Sequence, residues 1–146
     1  MSYESAKRRL GVAWLALGGT IFFLLLVQSI FDKYGEQDSA AWQWFLPTIL
    51  PTLSLIVAVF VVDANEGVPS DKARVIDAFY YRLSLGLSIA YLVVVAVTLI
   101  GASVVPDVPN MALLGRSQVW LAFIQGLATA AVGIFFIKKG VAPALD

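Results

Sequence analysis

The sequence predicts an all-α membrane protein, in which four transmembrane helices form one bundle and one domain, residues 1–146. First, 60% of the residues are hydrophobic and 14% are charged, whereas a soluble domain has about 45–50% apolar and about 25% charged residues. Second, four blocks of 20 to 23 residues contain no charged side chain, and about 20 apolar residues suffice for a helix to cross a bilayer. The predicted spans are residues 10–31, 43–62, 83–105 and 118–137.

The first span follows three basic residues, Lys7, Arg8 and Arg9, and this arrangement also begins a secretory signal peptide. The apolar core of a signal peptide has about 7–15 residues and precedes small residues at a cleavage site. This span is longer, and Asp32 and Lys33 follow it. We therefore expect an uncleaved membrane anchor.

The second span contains two prolines, Pro47 and Pro51, which are each followed by a threonine. A proline removes one backbone donor and crowds the carbonyl four residues earlier, so we predict a kink or a broken first turn near the outer surface. Hydroxyls, water or a neighbouring helix can satisfy the freed carbonyls, and Thr48 and Thr52 are placed to do so. A bent helix that fits its neighbours is favoured over a hinge or a binding site, because prolines are common in membrane helices.

The third span is predicted to continue a longer helix. Ser70 stands at a helix N-cap position and Asp71 follows in the first turn, and neither glycine nor proline occurs again before Gly86. One helix from about 71 to 104 would be roughly 50 Å long, against a hydrocarbon core of about 30 Å. We therefore expect it to extend into the cytoplasm, where it could dock a partner or lie along the membrane.

A polar stripe runs along one side of the third and fourth spans. Its members are Ser84, Ser88, Tyr91, Thr98, Gln118 and Gln125. Two interpretations compete. In the favoured one, these side chains form hydrogen bonds inside a single bundle. In the other, they line a path for water or ions when several copies assemble.

The fourth span also carries small residues at four-residue intervals. Ala122, Gly126 and Ala130 repeat this interval, and Thr129 and Gly133 repeat it one position further round the helix. Such spacing lets the backbones of membrane helices approach closely. We predict that these residues form a helix-packing surface, either within one chain or between chains of an oligomer.

The orientation follows from the lysines and arginines, which are enriched in cytoplasmic loops. If the N-terminus is inside, Lys33 and Arg116 are the only two outside, and the other eight are inside. Three tryptophans, Trp42, Trp44 and Trp120, then fall at the outer ends of spans, in the headgroup layer. We predict cytoplasmic N- and C-termini and a multi-pass protein of the cell membrane, specifically a bacterial inner membrane.

The composition narrows the possible functions. The chain contains no cysteine and no histidine, and no acidic or basic residue lies within a predicted span. This disfavours proton-coupled transport, voltage sensing and most enzymatic chemistry. We predict no catalytic residue, no cofactor, no metal site and no nucleic-acid binding.

The favoured function is therefore that of a non-enzymatic protein that acts by assembly in the lipid bilayer, as a homo-oligomeric channel or pore. The alternative is an accessory or anchoring subunit of a larger membrane complex. A membrane enzyme or transporter that uses the outer prolines and the acidic residues of the loops is a minority hypothesis.

Overall fold

A computed structural model of the protein describes residues 3–65, 78–104 and 110–137. These residues form four long helices: α1 (Tyr3–Ile30), α2 (Asp38–Asn65), α3 (Ala78–Val104) and α4 (Asn110–Ile137). A short 3-10 turn, Gly35–Gln37, precedes α2. All four helices are long and apolar enough to cross a membrane, which confirms the prediction of an all-helical, multi-pass membrane protein.

The third helix is described from Ala78, a few residues before the predicted start of its span. The predicted cap, Ser70, and residues 71–77 lie outside the described residues. The extension of this helix from residue 71 therefore stays a prediction, and so does the orientation of the termini.

Each helix packs mainly against two others. α1 lies against α2 and α3, and α4 lies against the same two helices. Trp42 in α2 bonds to Ser29 in α1, whereas Gly11 in α1 lies against Phe60 near the other end of α2, so these two helices are antiparallel. Ser84 and Gly101 of α3 lie against Ala131 and Leu113 of α4, so these two are antiparallel as well. Trp44 and Thr52 of α2 bond to Ser117 and Thr129 of α4, so α2 and α4 are parallel. The starts of α1 and α3 therefore share one end of the bundle with the ends of α2 and α4.

Large side chains fill the space between the helices, and Trp14, Tyr91 and Leu92 are fully buried there. The outer surface of the bundle is also apolar. Phe23, Val97 and other large hydrophobic side chains are exposed on it. An apolar exterior of this kind is stable when lipid, rather than water, is the solvent.

α1 ends in a hydrogen-bonded turn. The Lys33 N–H donates to the Gln28 carbonyl at 2.9 Å, and the Asp32 N–H donates to the Ser29 carbonyl at 3.0 Å. This pattern is a Schellman motif, which needs a left-handed residue after the helix. Asp32 takes that role with a φ of 54°. The motif reverses the chain so that α2 can pack back along α1.

α2 continues through both of its prolines as one helix that begins at Asp38. The broken first turn that we considered is therefore absent, because Pro47 and Pro51 lie well inside the helix. A bend at these two positions stays a prediction.

Candidate functional site at the prolines of the second helix

Pro51 leaves one backbone carbonyl of α2 without its usual hydrogen-bond donor, and a side chain of another helix supplies a donor instead. Because Pro51 has no N–H, it cannot bond to the carbonyl of Pro47. The side chain of Gln125, in α4, donates its Nε2 to this carbonyl at 2.9 Å and to the Thr48 carbonyl at 3.0 Å. An unsatisfied carbonyl within a bilayer costs several kcal/mol. Gln125 therefore replaces the donor that the proline removed.

The Thr48 carbonyl also accepts a hydrogen bond from α3. Tyr91, which is fully buried, donates its hydroxyl to this oxygen at 2.6 Å. The Tyr91 ring also lies beside the indole of Trp14 in α1, with 6.2 Å between ring centroids. One carbonyl of α2 is thus bonded directly to α3 and α4, and Tyr91 extends this contact to α1.

Two threonines of α2 contribute hydroxyls. Thr48 donates its Oγ1 to the Trp44 carbonyl in its own helix at 2.6 Å. The Oγ1 atoms of Thr52 and Thr129, in α4, are 2.6 Å apart and share a hydrogen bond. The threonines therefore stabilise the helix around the prolines, one within α2 and one across to α4. We name Thr48, Thr52, Tyr91, Gln125 and Thr129 the proline cluster.

The other members of the polar stripe occupy different places. Ser84 is buried and donates its hydroxyl to the Ala131 carbonyl of α4 at 2.8 Å. Thr98 is buried and donates to the Val94 carbonyl of its own helix at 2.8 Å. Ser88 is buried, and its hydroxyl has no partner among the described residues. Gln118 is exposed and lies outside the proline cluster. The α3 part of the stripe thus faces the inside of a single chain.

The small residues of α4 divide between two faces. Thr129 faces Thr52 inside the bundle, whereas Ala122, Gly126 and Ala130 are exposed. A Cβ atom built at Gly126 would meet no described atom within 4 Å, and the same is true at Gly133. In the described structure, Gly126 and Gly133 therefore do not bring two helices of the same chain into close contact. A role at an interface between chains stays a prediction.

Trp44 is a member of the core that the sequence analysis missed. Its depth in the headgroup layer stays a prediction, but only 2% of it is exposed within the bundle, and its Nε1 donates to Ser117 Oγ in α4 at 3.0 Å. The Ser117 hydroxyl in turn donates to the Leu114 carbonyl at 2.6 Å. No sequence pattern pairs two positions that are 73 residues apart, so this contact could not be predicted.

Lys7 is a second such residue, because only 5% of it is exposed. Its Nζ forms an ion pair with Glu4 at 2.9 Å and lies 5.6 Å and 5.8 Å from the ring centroids of Tyr3 and Phe60. The Tyr3 ring stacks on Phe135 of α4 at 5.7 Å. We name Tyr3, Lys7, Phe60 and Phe135 the aromatic end of the bundle.

The proline cluster is made of hydroxyls, an amide and backbone carbonyls. These groups form hydrogen bonds, but none of them is a strong acid, base or nucleophile at neutral pH. In the three described ranges, no group of three acidic side chains is placed to hold a metal ion. A comparison of the chain with protein-family models, curated proteins and solved structures finds no match. The arrangement is suited to holding helices together.

Proposed function

We propose that this chain is a small, non-enzymatic, multi-pass membrane protein that acts by assembling with other membrane helices through the outer face of α4. The observation that supports the proposal is the exposure of Ala122, Gly126 and Ala130 on this face. Small residues at this spacing let a second helix backbone approach. The open space around Gly126 leaves room for that helix.

The shape of this face supports the proposal further. Val119 and Phe123 are 80% and 71% exposed, and helical geometry places them beside the small residues. A ridge of large side chains next to a shallow groove is the shape that lets two helices interdigitate. Val119, Ala122, Phe123, Gly126 and Ala130 are named the α4 face.

An accessory or anchoring subunit is the form of assembly that the geometry supports best. In a channel built from several copies, the polar lining must lie at the surface between the copies. Ser84 and Tyr91 are instead buried in one chain and bonded within it. One feature still favours the homo-oligomeric channel: the exposed amide of Gln118 lies one turn from Ala122 on the same side of α4. The channel is therefore the second candidate.

A membrane enzyme or transporter has less support. The residues next to the prolines contribute hydroxyls and an amide, and these groups already bond to one another or to backbone carbonyls. A site that bound a substrate there would have to break those bonds.

Cytoplasmic termini are part of the proposal and are supported by the eight-to-two distribution of lysine and arginine. Because the chain has no cysteine of its own, single cysteines can report the orientation. Glu36→Cys and Asn110→Cys should react with a membrane-impermeant maleimide added from outside the cell. If the two cysteines react only after the membrane is permeabilised, the termini would instead lie outside.

The assembly is tested by comparing two leucine substitutions at exposed glycines. Gly126→Leu fills the groove of the α4 face, whereas Gly19→Leu adds the same side chain on the exposed side of α1, where a Cβ atom also meets nothing within 4 Å. Both variants should insert and fold. Gly126→Leu should reduce the mass of the complex measured in mild detergent, and Gly19→Leu should leave it unchanged.

The composition of the complex separates the two forms of assembly. A complex that contains a different protein supports the subunit, and a closed ring of identical chains that conducts ions in planar bilayers supports the channel. Equal complex masses for the wild type and both glycine variants would contradict the proposal.

A further inference from the structure

The outward side of α1 at its start changes from polar to apolar along the helix. Ser5, Arg8, Arg9, Val12 and Ala13 recur at helical spacing on this side, and together they line a cavity of about 420 Å³. The opposite side of the same turns, which includes Ala6 and Leu10, is buried in the bundle. The cavity therefore lies on the surface, where a molecule outside the bundle can enter it.

Two arginines supply the charge of this cavity. Arg8 and Arg9 are both exposed, and neither forms an ion pair or a hydrogen bond with a described residue. The neighbouring cation differs, because Lys7 is buried and paired with Glu4. Guanidinium groups bind phosphate oxygens through pairs of parallel N–H donors. The cavity thus presents two available groups that match a phosphate.

The position of the arginines along the helix indicates where that phosphate comes from. The apolar block begins at Leu10, so the arginines lie at the membrane surface and Val12 and Ala13 lie deeper. Four residues of helix separate the two levels by about 6 Å. A phospholipid presents the same order over a similar depth, with its phosphate at the surface and its acyl chains below. A free phosphate ion would use only the upper part of the cavity.

We propose that this cavity binds an anionic phospholipid, with the phosphate between Arg8 and Arg9 and an acyl chain along Val12 and Ala13. The choice of an anionic lipid follows from charge, since two cations face the headgroup and no described acidic side chain lines the cavity. The α4 face does not include any of these residues, so the proposal is independent of the proposed function.

The test measures lipid retained by the full-length protein, using native mass spectrometry of detergent micelles titrated with phosphatidylglycerol or phosphatidylcholine. The double variant Arg8→Gln/Arg9→Gln is compared with Lys33→Gln/Arg116→Gln, which loses the same number of positive charges at the opposite end of the bundle, from the turn after α1 and the start of α4. The first variant should bind phosphatidylglycerol about 30-fold more weakly, the ratio expected for two cations near an anionic lipid surface. The second should bind like the wild type.

Further variants distinguish a bound lipid from general attraction of charge. Arg8→Lys/Arg9→Lys keeps the charge but loses the paired donors, so its affinity should fall between those of the wild type and the glutamine variant. Unfolding temperatures without added lipid should be equal in all variants, because the arginines are exposed. The proposal is overturned if both glutamine variants lose binding equally, if phosphatidylcholine binds as tightly, or if inorganic phosphate displaces the lipid at equal concentration.

Discussion

The proline cluster and the aromatic end both join helices of the bundle, but they are held together by different interactions. In the proline cluster, Tyr91 and Gln125 form directional hydrogen bonds to carbonyls of α2. In the aromatic end, ring packing surrounds a cation, because Lys7 lies beneath the rings of Tyr3 and Phe60. Hydrogen bonds fix one geometry, whereas ring contacts tolerate small shifts. We therefore expect substitutions to affect the two regions unequally.

The largest effect is expected when the Pro47 and Thr48 carbonyls lose the two side chains that donate to them. Tyr91→Phe/Gln125→Leu leaves the carbonyls of Pro47 and Thr48 without the side chains that bond to them. Each acceptor that loses its partner in surroundings without water costs about 1–3 kcal/mol. The free energy of unfolding, measured by titration with sodium dodecyl sulfate in mixed micelles, should fall accordingly.

The exposed amide of Gln118 provides the control for this double variant, since Gln118→Leu removes an equivalent group outside the cluster. Gln118→Leu should leave the free energy of unfolding nearly unchanged. A double variant that is as stable as this control would show that the carbonyls do not depend on Tyr91 and Gln125.

The next effect is expected at Gly11, where α1 approaches α2 closely. A Cβ atom at this position would overlap the Phe60 ring, so Gly11→Val must displace that ring from its place beside Lys7. Overpacking of this kind costs about 1–3 kcal/mol. Gly19→Val is the matched control, because a Cβ atom there meets nothing within 4 Å. Equal unfolding free energies for the two variants would mean that the aromatic end adapts freely.

A smaller effect is expected from the cation in the aromatic end. Lys7→Met keeps a flexible apolar side chain but removes the ion pair with the partly exposed Glu4 and the charge over two rings, which contributes about 0.5–2 kcal/mol depending on burial. The free energy of unfolding should fall by an amount in this range, whereas Lys33→Met, in an exposed position, should have almost no effect. If Lys7→Met is more stable than the wild type, the free-energy cost of burying the charge exceeds the stabilisation that the two rings provide.

The smallest effect is expected from pH, in the turn between α1 and α2. Burial raises the pKa of the Tyr34 hydroxyl above its ordinary value of 10.0, and the nearby Asp38 carboxylate raises it further, while a hydrogen bond with Ser103 lowers it in part. A pKa that is higher in the folded state stabilises the protein below pH 10, and this contribution is lost as the pH rises through the folded value. The difference in unfolding free energy between the wild type and Tyr34→Phe should therefore shrink above about pH 10. A constant difference would contradict this.

The sequence predicts the number and type of the helices because hydropathy alone determines which segments can span a bilayer. It also indicates which residues of the proline cluster need partners: Gln125 and Tyr91 are polar groups deep within spans. It could not indicate that both bond near Pro51, because the pairing depends on how four helices of similar hydropathy are arranged around each other. For the same reason the burial of Trp44 between the helices could not be predicted.

The burial of Lys7 was not predicted either. A lysine before a span is normally taken as a determinant of orientation, and nothing local marks it as a core residue. Its position depends on Phe60 and Phe135, which come from the far ends of two other helices. Sequence patterns along a single helix contain no such information.

The bond from Gln125 to the Pro47 carbonyl joins positions that are 78 residues apart, and this separation orders events during synthesis. A ribosome that has completed the second span has not yet translated the fourth, so the nascent chain holds a backbone acceptor that no side chain of α4 can reach. Polypeptide growth proceeds at about 5–20 residues per second, so this interval lasts several seconds. Throughout it, the Pro47 carbonyl can bond only to water, lipid headgroups or the insertion machinery, and it gains its partner in α4 only when the last helix arrives.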